Sequence, residues 1–472
     1  MKIFAIWRMI MSANATDKAA KGRMEYWVNK LKLNMSPPQF IIIVFLILIL
    51  IGTLLLSLPH SSATGRSVGL LTALFTSTSA VCVNGLILSD TGTTFSLLGQ
   101  IIIMVMIQIG GLGFMTLGVM VAIVLGKKIG LKQRLLIQQT TQSTSAQGLV
   151  KLSLYVVLIS FAFEALATIV LTWRWHDEMG FGMALFNALF HSVSAFNNAG
   201  FALWPTSLSP YVGDPVVNIT IALLFMIGGL GFIVIVDIIR KRSLKKLSLH
   251  AKIVLLATGL LSLFGFLLLF LLESWNPATF GHLTLWERLF AAFFQSVTPR
   301  SAGFNTIEIS NMLPASQFLI IILMFIGSAS GGTGGGIKIN TLVIILLATM
   351  NTFRGGGQIH AFKRRIPQDS VMRALAVVIS SLACVLVVAL LLTISEGMLE
   401  EHFLEVLFEA TSAFSTTGLS MGMTGELTPI SQIIVIVTMF IGRLGPLTLA
   451  YALAQKKQAS KIGYPEDNIL VG

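Results

Sequence analysis

Four short stretches carry residue types whose spacing could strip water from a small cation. They are "FTSTSAVCVNGL" (75–86), "FHSVSAFNNAGF" (190–201), "FFQSVTPRSAGF" (293–304) and "FEATSAFSTTGL" (408–419). Each runs from an aromatic residue to a glycine ten positions on. These glycines, Gly85, Gly200, Gly303 and Gly418, lie 115, 103 and 115 residues apart. Glycine allows backbone to turn carbonyl oxygens toward an axis without side-chain clashes. Rings of such carbonyls replace the hydration shell of potassium in known filters. Hydroxyl and amide neighbours, Asn84, Asn197, Asn198, Ser301, Thr416 and Thr417, separate these glycines from packing glycines, which need no polar company. The ligand implied is a dehydrated monovalent cation.

Positioning four such loops is a task for a membrane protein. Of the 472 residues 55% are hydrophobic and 11% charged, far from soluble norms. Apolar runs near 38–58, 97–125, 152–172, 216–239, 253–272, 316–350, 374–394 and 430–454 give eight candidate spans. The polar, basic first 34 residues lack a cleavage signature, so a cytoplasmic N-terminus and a mobile basic arm with a surface-lying helix near "MEYWVNKLKLNM" are expected. Segments on that same side hold 25 of the 32 Lys and Arg residues, including Lys127 to Arg134, Arg240 to Lys252 and Arg354 to Arg373. The other side holds Asp177, Glu178, Glu273, Glu396, Glu400, Glu401 and Glu405, with Trp173, Trp175, Trp204, Trp275 and Trp286 as an expected interfacial belt. The net charge of +12 therefore answers to lipid or an acidic partner and requires no nucleic acid. Cys82 and Cys384 read as small packing residues.

The four stretches fall between odd and even spans and are too short to cross. The expected architecture is all-α and polytopic, with four pseudo-symmetric copies of span, re-entrant pore helix and span around one central pore. Its divisions are a basic arm (1–37), repeats at 38–150, 151–250, 251–370 and 371–456, and a cytoplasmic tail (457–472). A half-helix ending at mid-membrane points its negative dipole end inward, which favours a cation on the axis. A second echo, "IGGLGF" at 109 and 227, "IGSASG" at 326 and "IGRLGP" at 441, follows each loop in step. Its glycines read mainly as helix-packing residues.

The sixth span is interrupted by "IGSASGGTGGGIKIN" (326–340), with six glycines and Lys338. A phosphate loop is excluded because Ile337 separates Gly336 from Lys338 and no Ser or Thr follows the lysine. Non-helical backbone at membrane depth must be buried in protein or line a wet cavity. Glu164 reads as a hydrogen-bonded helix contact or a site for a coupling cation or proton. Asp237 is expected to pair with Arg240 or Lys241 one turn on.

From about residue 38 to 456 these features resemble the Trk/Ktr/HKT superfamily of potassium transporters, closest to its Ktr-type membrane subunits. The resemblance rests on the fourfold loop repeat, on "SGGTGGGIK" and on Arg443; an extra helical pair usual in Trk members does not precede the first repeat. It implies a selectivity filter at Val83, Asn84, Gly85, Asn198, Ala199, Gly200, Ser301, Ala302, Gly303, Thr416, Thr417 and Gly418, the only residues expected to bind potassium. It implies an intramembrane gate at 327–338, through Gly327, Ser328, Ser330, Gly331, Gly332, Thr333, Gly334, Gly335, Gly336 and Lys338, with Arg443 beside it. Lys338 would be held near the pore or snorkel inward. Arg443 has two readings, an electrostatic barrier to cations or a brace bonding loop carbonyls. Arg300 is expected to brace the outer vestibule.

The same resemblance implies a potassium uptake subunit of the bacterial inner membrane, with both termini cytoplasmic. It would be a homodimer seated on a cytoplasmic RCK-type nucleotide-binding ring (KtrA-like), with Lys127 to Arg134 and Arg240 to Lys246 as docking surfaces. Sodium stimulation is a family trait without a motif here. No catalytic residue and no cofactor are expected, only potassium as the transported ligand. The alternative is a broken-helix secondary transporter for a small solute.

Overall fold

The computed structural model describes residues 37–113, 149–397, 402–446 and 448. The basic arm, Lys127 to Arg134, Glu400, Glu401 and the C-terminal tail lie outside the described residues. Among the described residues the helices of ten residues or more are, in chain order, α1 (Pro37–Leu56), α2 (Leu70–Cys82), α3 (Leu97–Leu112), α4 (Leu149–Met179), α5 (Phe181–Phe196), α6 (Pro215–Leu230), α7 (Phe232–Lys241), α8 (Leu249–Glu273), α9 (Leu285–Val297), α10 (Pro314–Phe325), α11 (Ile339–Phe353), α12 (Gln368–Glu396), α13 (Phe403–Ser415) and α14 (Pro429–Leu444). A hairpin of β1 (His360–Ala361) and β2 (Arg364–Arg365) follows α11, turning through Phe362 and Lys363 at positive φ.

Four of these helices, α1, α4, α8 and α12, are long and apolar enough to cross a membrane. Their exposed faces carry large apolar side chains such as Leu54, Ile169, Leu271 and Ile394, as lipid-facing surfaces require. Each is followed by a short helix, α2, α5, α9 or α13, that packs against it and is too short to cross. A second apolar helix then returns: α3, α6, α10 and α14.

Tight links hold the end of each long helix to the start of the returning one. Near α1, the Ser96 hydroxyl donates to the His60 carbonyl and the Ser96 N–H to that of Ser61. From α4, Arg174 bonds Asp214 at 2.5 Å, and Asp214 caps α6 by accepting from Val216 and Val217 N–H. Glu273 at the end of α8 accepts from the Leu313 N–H at 2.9 Å, and Glu396 at the end of α12 accepts from the Thr428 N–H at 2.9 Å. Leu313 and Thr428 are the N-cap residues of α10 and α14, so both acids satisfy helix-entry geometry.

Packing closes a circle. α3 packs on α5, α6 on α9, α10 on α13, and α14 returns to α2. The core follows the short helices: Phe75, Phe190, Phe294 and Phe408 are fully buried, as are Leu86, Phe201, Phe304 and Leu419 just after the four loop glycines.

Two expectations about the tryptophans and Arg300 change. Trp173, Trp275 and Trp286 are exposed, but Trp175 is fully buried, with ring centroids 5.0 Å from Trp204 and 5.7 Å from Tyr211. Those rings pack Trp175 into the core instead of an interfacial belt, while Trp204 stays partly exposed beside it. Arg300 does not brace an outer vestibule. It follows the inward end of α9 and reaches sideways to α8, donating to the Ser262 hydroxyl at 2.6 Å and the Thr258 carbonyl at 3.5 Å.

Candidate functional site

The short helices end in a common backbone form. Val83, Asn198, Ser301 and Thr416 adopt left-handed conformations with φ of 53°, 58°, 65° and 49°. Two residues on, Gly85, Gly200, Gly303 and Gly418 have φ of 98°, 70°, 79° and 85°. Between them, the Asn84, Ala199 and Thr417 N–H groups reach back to the Ser79, Ser194 and Ser412 carbonyls. The third loop uses Ala302 N–H to the Thr298 carbonyl instead, after Pro299 changes the turn.

The four glycines meet. A methyl group built on Gly85 would lie 3.1 Å from the Gly200 Cα and 3.2 Å from that of Gly418. On Gly200 it would lie 2.8 Å from the Gly303 Cα, and on Gly418 2.7 Å from the Gly85 Cα. On Gly303 it would overlap the Thr417 carbonyl oxygen. Going round, each glycine abuts the carbonyl of the residue before the next: Ala199, Ala302, Thr417 and Asn84. No side chain fits at any of these positions, both for space and because positive φ disfavours a Cβ.

Side chains tie the loops to their neighbours. Asn84 donates to the Ala413 carbonyl at 3.0 Å, the Ser301 hydroxyl to the Ser415 carbonyl at 3.1 Å, and the Thr417 hydroxyl to the Pro299 carbonyl at 3.3 Å. Asn197 donates to Gln108 on α3 at 2.7 Å and to Glu164 on α4 at 3.2 Å, while Gln108 donates to Glu164 at 3.0 Å. Glu164 thus makes the hydrogen-bonded contact that is one of its two readings.

The echo following each loop has two jobs. Its first glycine lets helices touch: a Cβ on Gly110, Gly228 or Gly442 would overlap the carbonyl of Val81, Phe196 or Phe414. Its last glycine, however, ends a helix. Gly113, Gly231 and Gly445 share φ/ψ of 76°/130°, 89°/134° and 79°/141°, and at Gly231 α6 and α7 bend by 95°. From the sequence these read as packing glycines because the run continues apolar on both sides; the recurrence of a glycine four residues after the isoleucine is the signal that could have found them.

Residues 326–338 connect α10 to α11 without helix and lie against the inward side of the ring. Thr333 donates to the Asn198 side chain at 2.8 Å; a Cβ on Gly334 would come 2.6 Å from that of Ser301, and one on Gly335 would overlap the Thr416 hydroxyl. The loop also meets the break in α6: Ala329 and Thr333 N–H groups donate to the Gly229 and Gly228 carbonyls at 2.9 and 3.2 Å, and the Phe232 N–H donates to the Gly331 carbonyl at 3.0 Å. Lys338 is held by the Gly334 and Gly335 carbonyls at 2.5 and 3.3 Å. Arg443 donates to the Thr333 and Gly110 carbonyls, which is the bracing geometry of its two readings. Ser330 lies within this loop, and Ser328 and Gly336 stand near its two ends. Among the described residues no cluster of His, Cys, Asp and Glu could hold a metal ion.

A family model described as "TrkH: Cation transport protein" matches residues 4–462. The chain belongs to this TrkH family. The family is one of cation transporters, not enzymes. Relatives of this TrkH-family chain include the Ktr system potassium uptake protein B of Bacillus subtilis, 43% identical over 96% of this chain and 99% of the relative. The protein of that name from Vibrio alginolyticus is 42% identical over 93% and 96%. The potassium/sodium uptake protein NtpJ of Enterococcus hirae is 37% identical over 94% and 99%. The crystal structure of the potassium transporter TrkH from Vibrio parahaemolyticus shares the fold, with a TM-score of 0.68 at 21% identity, covering 87% of this chain and 84% of that one. The protein is accordingly a helical, multi-pass membrane protein of the TrkH family.

Proposed function

We propose that this chain is the potassium-translocating, pore-forming subunit of a Ktr-type uptake system in a bacterial cell membrane. Four pseudo-symmetric repeats, 38–150, 151–250, 251–370 and 371–456, surround one pore, with α2, α5, α9 and α13 as its re-entrant helices. The observation that carries this reading is the meeting of Gly85, Gly200, Gly303 and Gly418 at the ends of helices whose negative dipole ends converge. Carbonyls around Val83–Gly85, Asn198–Gly200, Ser301–Gly303 and Thr416–Gly418 exchange for the ion's water, with one glycine per loop where tetrameric channels use a longer run. The basic segments face the cytoplasm, so ions enter from the face where the short helices begin.

Residues 327–338 act as a gate below the filter. Support comes from the Thr333–Asn198 bond and the close approach of Gly334 and Gly335 to filter residues Ser301 and Thr416. Arg443 holds the gate through Thr333 and adds positive charge beside the ion path. Relatives named as parts of a Ktr system support assembly with a second component. We take this to be a cytoplasmic nucleotide-binding ring on which the chain sits as a homodimer. The potassium/sodium name of the Enterococcus relative supports sodium dependence.

The deciding experiment is rubidium uptake by proteoliposomes holding the full-length chain, with potassium or sodium as competitor. Competition by potassium far stronger than by sodium upholds the filter. Equal competition, or absence of cation flux even after the gate is shortened, overturns it.

A further inference from the structure

Arg300 is 9% exposed and, among the described residues, has no acidic partner. Its terminal nitrogens reach a hydroxyl and a carbonyl on α8, and its Nε has no hydrogen-bond partner. A buried cation without a counter-charge is a costly arrangement, and unsatisfied buried donors are uncommon. Ser328, 5% exposed, likewise leaves its hydroxyl unpartnered.

Both residues line one crevice. It lies between α6, α8, α9, the first residues of the glycine loop and the start of α11, walled by Met226, Leu230, Val297 and Ile339, with a cavity volume of about 20 Å³. None of its lining residues is acidic. Ile339 is the first residue of the fifteen-residue α11, so the positive end of that helix dipole lies at the crevice wall. The nearby Gly229 and Ser328 carbonyls are already engaged, by the Ala329 and Ile339 N–H groups.

We propose that this crevice is a binding site for a small monovalent anion of the halide class, held by Arg300 Nε and the Ser328 hydroxyl at the head of α11. The anion neutralises Arg300 in the third filter loop and bonds Ser328 in the glycine loop. It thereby links two segments whose relative position sets the lower end of the ion path. The proposal rests on this crevice alone and stands whether or not the loop gates.

The test uses the full-length chain in nanodiscs. Thermal unfolding is followed in potassium chloride and in potassium gluconate at equal ionic strength. The expected midpoint is higher in chloride by about 2 °C, and Ser328→Ala and Arg300→Gln each abolish that difference. Ser328→Ala keeps the test intact where Arg300→Gln fails to fold. Crystals soaked in bromide are expected to show an anomalous peak in the crevice. Equal midpoints in the two salts, a difference that persists in Ser328→Ala, or a bromide map showing only water there would overturn the proposal.

Discussion

The break at Gly231 and the long break over 326–338 occur at corresponding points of two returning helices, yet they resolve the freed backbone differently. At Gly231 one residue turns the chain, and the carbonyls of Gly228 and Gly229, which lose their helical partners, face inward. The long break supplies those partners through the Thr333 and Ala329 N–H groups. Gly110 occupies the Gly228 position in the first returning helix, and there Arg443 is the donor. The glycine loop and Arg443 therefore do one job at two places: they satisfy helix-end carbonyls that neither lipid nor an apolar neighbour could. The same contacts hold the loop against the inward side of the ring.

The largest expected effect separates the ring from everything below it. Gly418→Ser would force a Cβ against the Asn84 carbonyl at φ 85°. Potassium over sodium discrimination in rubidium competition should fall by at least about tenfold, ~1.4 kcal/mol. Unchanged discrimination here and in Gly303→Ser would mean that the meeting of the glycines is packing only. Next in size, deletion of residues 331–335 removes the long break's contacts through Thr333 and Gly331 while leaving the ring. Basal rubidium flux should rise severalfold with discrimination kept. A silent transporter would show that the loop supports the fold instead of limiting flux.

Much of this contrast is legible in the amino-acid sequence. The ten-residue aromatic-to-glycine spacing locates all four loops, since steric demands at a shared axis leave only glycine and so repeat in register. The interruption at 326–340 is legible because six glycines cannot pass for helix. The helix ends at Gly113, Gly231 and Gly445 are not, because one glycine inside an apolar run reads equally as a packing contact. The partners of Glu164 are also hidden, since Gln108 and Asn197 lie 56 and 33 residues away and no periodicity joins them. Trp175 misleads for a related reason: its place near a span end resembles an interface, and only the fold brings Trp204 and Tyr211 onto it.

Arg443 tests whether the short and long breaks are coupled. Arg443→Gln keeps at most one of the two carbonyl contacts, so flux should rise by about twofold, ~0.4 kcal/mol of barrier. That is less than the deletion, because Thr333 retains its bond to Asn198. A variant with basal flux unchanged would leave Arg443 as a brace without influence on the gate. Glu164→Ala acts on the second loop alone. Loss of the bracket under Asn197 should cost about 1–3 kcal/mol of stability, read as a lowered unfolding midpoint, with Glu164→Gln closer to the unmodified chain.

The smallest effect lies at the far end of the bent helix. Asp237 pairs with Lys241 at 2.7 Å, one of its two anticipated partners, and also accepts from the Ser248 N–H at 2.8 Å. Ser248 caps α8, so Asp237 fixes where α7, swung away at Gly231, meets the next long helix. The ion pair is exposed on its lysine side, and Lys241→Ala should cost only about 0.3–0.5 kcal/mol. Asp237→Ala removes the bond to the α8 entry as well and should cost more. Equal losses in the two variants would mean that the charge pair, not the cap, holds the bent end in place. A larger loss for Asp237 would tie the geometry of the short break to the start of the following helix.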